Sequence, residues 1–402
     1  PNLDCDGLGV LTCISVHARH CDGKDCGIDH RETQALQSER QQHRIVACLI
    51  LLILSVFPAG AQERLRLAFF HTELSRDGPG LLLRDILTGQ DAQVLAVSNV
   101  VRAVSPDILV LAGVDWDLEG HTLDGLAEAI GSFRHRFTAR PNRGIDSGHD
   151  LNGDGYLRAP KDSFGYADSP GQEGLAVLSR LPIDRGGYRD FTDLEWLDLP
   201  GAIPPPGSEN HGRLSTTAHW DLPVVLPDGS RISLLIWHAT PPVFDGPEDR
   251  NGRRNHDEAE FWRRYIDGDF GPPPERFVLL GAANLDVHDG NGRAGALAAL
   301  LSHPRTKDPR PASRGGAIAS KMDGGVNALH QGDPARDTAD WPDGPGQPGN
   351  MRVDYVLPDS LFDVLDSGVF WPPRSDPLSS DVESASRHRL VWLDIAINAE
   401  RP

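Results

Sequence analysis

Short apolar runs of strand length recur along this chain, and most of them end on a residue that can do chemistry. "RLRLAFF" (64–70) runs into His71 and Glu73, and "DILVLAGV" (107–114) runs into Asp115 and Asp117. "ISLLIWHA" (232–239) carries His238 near its end, and the run at 276–281 leads to Asn284 and Asp286. "RVDYVLP" (352–358) holds Asp354, and "HRLVWLDIAI" (388–397) opens on His388. Apolar runs of this length suit strands buried on both faces. Further strands are expected at 175–180 and 216–225, and helical spacing appears at 91–104, 122–130, 255–267 and 294–301. Such alternation predicts an α/β fold. Its polar groups recur where strand gives way to loop, which is where sites in α/β sheets gather.

The helix at 255–267 is expected to start at Asn255 as N-cap, with Glu258 three residues on completing a capping box. Gly/Pro-rich insertions lie at 140–172, 200–212, 240–254 and 305–350, and loops of that length are often functional. No internal repeat or linker breaks the pattern, so residues 62–402 are expected to form one domain.

The segment before it has a different character. "RIVACLILLILSVFPAGAQE" (44–63) has a basic flank, a short apolar core and a small-x-small site at Ala59-Gly60-Ala61. That is the layout of a signal peptide, too short for a membrane span. Residues 1–61 are therefore expected to be an upstream extension plus a signal peptide at about 44–61. The mature chain would start near Gln62, be secreted or periplasmic, lack a membrane span and act as a monomer. All five cysteines precede residue 49, so the rest of the chain can form no disulfide. Cys21 and Cys26, with His17 and His20, fit no common zinc template. The formal charge of −19 weighs against long nucleic acid as a partner without excluding it.

There is no phosphate-binding G-x-x-x-x-G-K-[ST], no H-E-x-x-H and no G-x-S-x-G. Gly290, Gly292 and Gly295 match G-x-G-x-x-G, but stand too far beyond their strand to open a dinucleotide fold. "DLNGDGYLR" (150–158) is more specific. Asp150, Asn152 and Asp154 alternate, Gly155 sits at the turn, and the pattern matches the start of a calcium loop, with Lys161 where a bidentate Glu would close it.

Read together, "LAFFHTEL", "PDILVLAGVD", "GLAVLSRLPI", "IWHATPP", "LLGAANLD", "RVDYVLP" and "SRHRLVWLDI" resemble the endonuclease/exonuclease/phosphatase superfamily, over roughly residues 64 to 398. That superfamily includes pancreatic-type deoxyribonucleases, abasic-site endonucleases and inositol-phosphate phosphatases. The resemblance implies a four-layer sandwich of two mixed β-sheets flanked by helices, and Mg²⁺-dependent hydrolysis of a phosphoester. It places His238 and Asn284 at the phosphate, His388 as the C-terminal catalytic histidine, and Asp354 in support. Glu73 and Asp115, with Asp286, become the Mg²⁺ candidates; Asp150, Asn152 and Asp154 stay the Ca²⁺ candidates.

Four positions depart from the superfamily pattern. His71 stands for its asparagine, Gly113 for its metal-binding glutamate, Ala282 for its water-orienting aspartate and Arg387 for the acid before the last histidine. The expected function is a metal-dependent phosphoesterase or phosphodiesterase impaired by the loss at Ala282. The alternative is a non-catalytic phosphate-ester-binding protein that keeps the fold. A calcium-stabilised module with an unrelated ligand is a third reading.

Overall fold

Alternate residues of a strand point to opposite faces, and here both faces are apolar, so each sheet must be covered twice. The structure, a computed structural model, describes residues 63–206 and 212–397, which lie in one compact unit. The expected extension and signal peptide, with all the cysteines, lie outside the described residues.

The strands are β1 (Glu63–Leu74), β2 (Ile108–Val114), β3 (His135–Phe137), β4 (Gly174–Ser179), β5 (Arg189–Asp190), β6 (His219–Val225), β7 (Arg231–His238), β8 (Phe277–Ala282), β9 (Asp354–Pro358), β10 (Val364–Phe370) and β11 (Leu390–Ile397). The helices are α1 (Leu81–Thr88), α2 (Ala92–Val104), α3 (His121–Ile130), α4 (Arg250–Asp267), α5 (Gly295–Leu301), α6 (Arg314–Asp323) and α7 (Ser379–Ala385). One sheet runs β10-β11-β1-β2-β4-β3 and the other β5-β6-β7-β8-β9. Both are mixed: β1 pairs parallel with β2 and β7 with β8, and the other pairings are antiparallel.

Three apolar layers hold this together. Leu67, Phe69, Val110 and Val177 of the first sheet pack on Trp220, Ile236, Leu280 and Val356 of the second. The outward residues Phe70, Leu109 and Leu178 are covered by α1, α2, α3 and α7. Trp237, Leu279 and Tyr355 are covered by α4 and α5. The order helices, sheet, sheet, helices is the expected four-layer sandwich. Among the described residues no helix is long and apolar enough to cross a membrane.

The capping-box expectation fails. Helix α4 starts at Arg250, so Asn255 and Glu258 lie inside it, fully buried. Both side chains serve tertiary contacts instead. Asn255 Nδ2 donates to Thr240 O (2.8 Å) and Ala283 O (2.7 Å). Glu258 accepts from the backbone amides of Thr216 and Thr240, each at 2.7 Å. Together they tie the exits of β7 and β8 to one helix. The 305–350 insertion is also more ordered than expected, since it holds α6.

Candidate active site

The site grows out of the inner core by the period of the strands. On β1 the inward column Leu65, Leu67, Phe69 continues to His71. On β7 the column Ile232, Leu234, Ile236 continues to His238, and on β9 the residue two before Val356 is Asp354. Alternation therefore delivers these three side chains to the same end of the inter-sheet layer. Ala282 continues the same column on β8, paired with His238 on one side and Asp354 on the other, with no exposed surface. The methyl group is the last apolar member of the core, set in a row of polar ones.

His388 arrives differently. It precedes β11 and is pinned by the long insertion: it bridges to Ala339, Arg389 N donates to Thr338 O, and Trp341 packs edge-on to its ring at 5.4 Å. His388 Nδ1 is 2.8 Å from Asp354 Oδ2, and His388 Nε2 is 3.0 Å from His71 Nδ1. The His71 and His388 ring centres are 4.1 Å apart, and His238 stands 4.7 Å from His71. With Nδ1–H donated to Asp354, His388 keeps its lone pair on Nε2, and His71 Nδ1–H then donates to it. Two buried atoms at the cluster lack any hydrogen-bond partner, His238 Nδ1 and Asp354 Oδ1.

Burial dominates the electrostatics. It holds the His71 and His238 imidazoles well below their ordinary range, and neighbouring His388 and Arg143 add to this. Arg143 is itself a half-buried cation, its pKa lowered by burial to about 10, and it pairs with Glu173. Glu73 has a positive φ of 50°, a strained conformation for a glutamate, of the kind that clusters at functional sites. Its carboxylate accepts from Arg387 N (2.8 Å), Arg387 Nε (2.9 Å) and Ser386 Oγ (3.1 Å). Burial pulls Glu73 upward, but these bonds outweigh it and keep its pKa below the usual value.

A model of the endonuclease/exonuclease/phosphatase family matches residues 86–388. The chain belongs to that family. No curated protein matches the sequence. Similar solved structures include an endonuclease/exonuclease/phosphatase from Beutenbergia cavernae, at 20% identity and TM-score 0.49, covering 83% of this chain and 72% of that one. A mannosyl-6-phosphatase of Bacteroides thetaiotaomicron is similar at 14% identity and TM-score 0.46, covering 83% and 100%. Sphingomyelinase C from Streptomyces griseocarneus follows at 15% and 0.44, covering 83% and 100%.

Within this endonuclease/exonuclease/phosphatase chain the carboxylates singled out in the sequence are spread thin. Asp115 accepts from Arg76 N (2.9 Å) and Glu173 N (3.2 Å), joining the exits of β1, β2 and the approach to β4; burial pushes it up to about 6. Asp286 accepts from His288 N (2.7 Å), Asp289 N (3.3 Å) and Arg352 N (2.8 Å). Asp150 accepts from Gly153, Asp154 and Gly155, and Asp154 from Tyr156 and Asn152. Asn284, at φ 51°, gives one amide hydrogen to Ala239 O at 2.7 Å.

The donor set fits Mg²⁺ poorly. Mg²⁺ takes oxygen ligands in near-ideal octahedral geometry. Gly113 and Ala282 offer none, and the oxygens of Glu73, Asp115 and Asp286 are engaged by amides or by Arg387. Among the described residues the one group of three acidic, histidine or cysteine donors close enough to hold an ion is His71, Asp354 and His388, with donor atoms all within 4.8 Å of one another. Sequence reasoning placed His71 among the strand-end polar groups but not among the metal candidates, gave Asn255 only a capping role, and missed Arg143 and Trp341. For His71 the signal was present, because it continues a strand's inward alternation.

Proposed function

We propose that this protein hydrolyses phosphoesters, with His388 as general base. The observation that supports this most is the buried His388–Asp354 pair at 2.8 Å. Asp354 fixes the tautomer, so the Nε2 lone pair is offered to a proton, and its negative charge stabilises the imidazolium that forms. His238, Asn284 and the Arg143 guanidinium supply donors and positive charge for a phosphate. Neutral His71, donating to His388 Nε2, holds the base in place until a water displaces it. Relatives named as a phosphatase and a sphingomyelinase support phosphoesters as the substrate class. A staphylococcal beta toxin with bound magnesium supports a metal in this fold.

The test is turnover of an activated phosphodiester and an activated phosphomonoester by the full chain, with and without added divalent cations. The expected result is hydrolysis that drops in His238→Ala. The second reading, phosphate-ester binding without turnover, draws on Gly113 and Ala282, which carry no acid. Binding of the ester with no release of product would favour it. We also propose export, from residues 44–61. The exported form should begin at Gln62, and one still carrying Cys48 would refute that.

A further inference from the structure

We propose that His71, His238 and His388, with Asp354 behind His388, bind one borderline transition-metal dication of the zinc type, in place of the Mg²⁺ that the superfamily resemblance implies. Imidazole nitrogen suits zinc, copper, iron and nickel, whereas carboxylate, carbonyl and water suit magnesium. His71 and His388 offer imidazole nitrogens and Asp354 a carboxylate oxygen, all within 4.8 Å of one another, and the His238 ring centre stands 4.7 Å from that of His71.

The exchange of donors is built into the backbone. A Cβ at Gly113 would lie 2.7 Å from His71 Cδ2 and 2.9 Å from His71 Nε2. The imidazole therefore occupies the space into which a side chain at 113 would start. Gly113 is the position that the resemblance gives to a metal-binding glutamate. Loss of that side chain and gain of the histidine are one structural change, an oxygen donor removed and a nitrogen donor put into its space.

Two further observations point to a ligand at this cluster. Asp354 Oδ1 is a fully buried carboxylate oxygen with no hydrogen-bond partner, and His238 Nδ1 is buried and unpartnered in ring contact with His71. Buried polar atoms are nearly always satisfied, so two orphans in one cluster call for a ligand. The Asp354–His388 bond is also the outer half of a carboxylate–histidine–metal arrangement, which aims His388 Nε2 at the ion; in the metal-loaded protein that lone pair is a ligand, so His388 acts as base only in the metal-free form. Two nitrogens each about 2.1 Å from a tetrahedral zinc stand about 3.4 Å apart. His71 Nδ1 and His388 Nε2 are at 3.0 Å, so the two rings must separate by a few tenths of an ångström and turn until both lone pairs converge on the ion. The proton between them then moves to His71 Nε2, with none gained or lost.

The experiment uses the full chain with its five cysteines changed to serine, so that thiolates do not compete. The protein is stripped with chelator, then loaded with Zn²⁺, or with Co²⁺ for its visible ligand-field bands. Bound metal is counted by mass spectrometry, and melting is followed in parallel. We expect one ion per chain, bands of low coordination number, and a melting temperature raised by Zn²⁺ but unmoved by equimolar Mg²⁺. His71→Asn should weaken Zn²⁺ binding about 100-fold or more, and Asp354→Asn by about 10–100-fold, as second-shell changes do. His238→Asn checks the third ligand independently, should His71→Asn fail to fold. Stoichiometric Zn²⁺ that survives both histidine changes overturns the proposal, as does Mg²⁺ binding more tightly than Zn²⁺. So does absence of stoichiometric binding, which leaves the cluster a proton relay. None of these readouts uses turnover, so their failure is distinguishable from failure of the hydrolase reading.

Discussion

The strand-end residues and the turn residues of this protein were equally promising on paper, and the fold treats them in opposite ways. His71, His238 and Asp354 extend the inward columns of strands, and they meet at the end of the core with few partners. Asp115, Asp286, Asp150 and Asp154 sit in turns, and their oxygens are taken by backbone amides that the turns leave unpaired. A strand satisfies its own backbone through the sheet, so its side chains are left for chemistry. A tight turn does not, and short acids are consumed by it.

The largest expected effect comes from breaking the strand-end set. Asp354→Asn would remove the charge that stabilises the His388 imidazolium and let the amide hold the ring in the wrong tautomer, and hydrolysis should fall by about 10²–10⁴-fold, the usual worth of a positioned base. Steady-state kinetics on the activated diester checks it, and an unchanged rate would detach Asp354 from the chemistry. Next comes Asp286→Ala, on the turn side of the comparison. It should cost roughly 3 kcal/mol of stability, the upper range for an orphaned buried donor. Turnover per folded molecule should stay within about twofold if Asp286 serves only the backbone. Denaturant melts beside the same assay decide this, and a large rate loss in a stable variant would return Asp286 to the metal.

Ala282→Asp sharpens the comparison by adding a strand-end acid. It should raise hydrolysis of the activated diester in the presence of added divalent cation by about tenfold, the low end of a general base's contribution discounted for imperfect placement. His238→Ala in the same background should remove the gain. A neutral or harmful Ala282→Asp would mean that the alanine is not what limits the rate.

The smallest effect is on the pH dependence of stability. Buried His71 and His238 have pKa values well below the ordinary value near 6.5, and His219, under α4, is lowered to about 3, chiefly by burial. Depressed pKa values mean that the unfolded chain binds protons the folded chain refuses. Their stabilisation is present above about pH 6.5 and is lost as pH falls, by about 1.4 kcal/mol per unit for each histidine. His219→Gln should remove one histidine's share of that slope in denaturant melts between pH 6 and about 4. An unchanged slope would mean that His219 titrates normally.

Much of this fold was legible because long apolar runs leave little choice: β1, β2, β7, β8 and β11 all fall near their expected ranges. Strand β3, with three residues, and β5, with two, were too short to show a pattern, and α6 was hidden in a Gly/Pro-rich stretch. The start of α4 was misread because Asn255 and Glu258 have the spacing of a cap, whereas burial against β7 and β8 decided their use. In the site, His238, His388 and Asp354 were found by position along the strand. Their contact with His71 required knowing which faces meet across two sheets. That Arg387 would take Glu73 was equally invisible, because it depends on the chain's last loop folding back beside the first strand.

The most direct test of the account is chemical rescue of His388. The activated phosphodiester is offered to wild type and to His388→Ala, with and without imidazole. The account predicts turnover in wild type, a loss of about 10²–10⁴-fold in the variant, and partial recovery when imidazole enters the vacated space beside Asp354. A variant as fast as wild type would contradict it, and so would a wild type that binds the ester yet releases no product with any divalent cation.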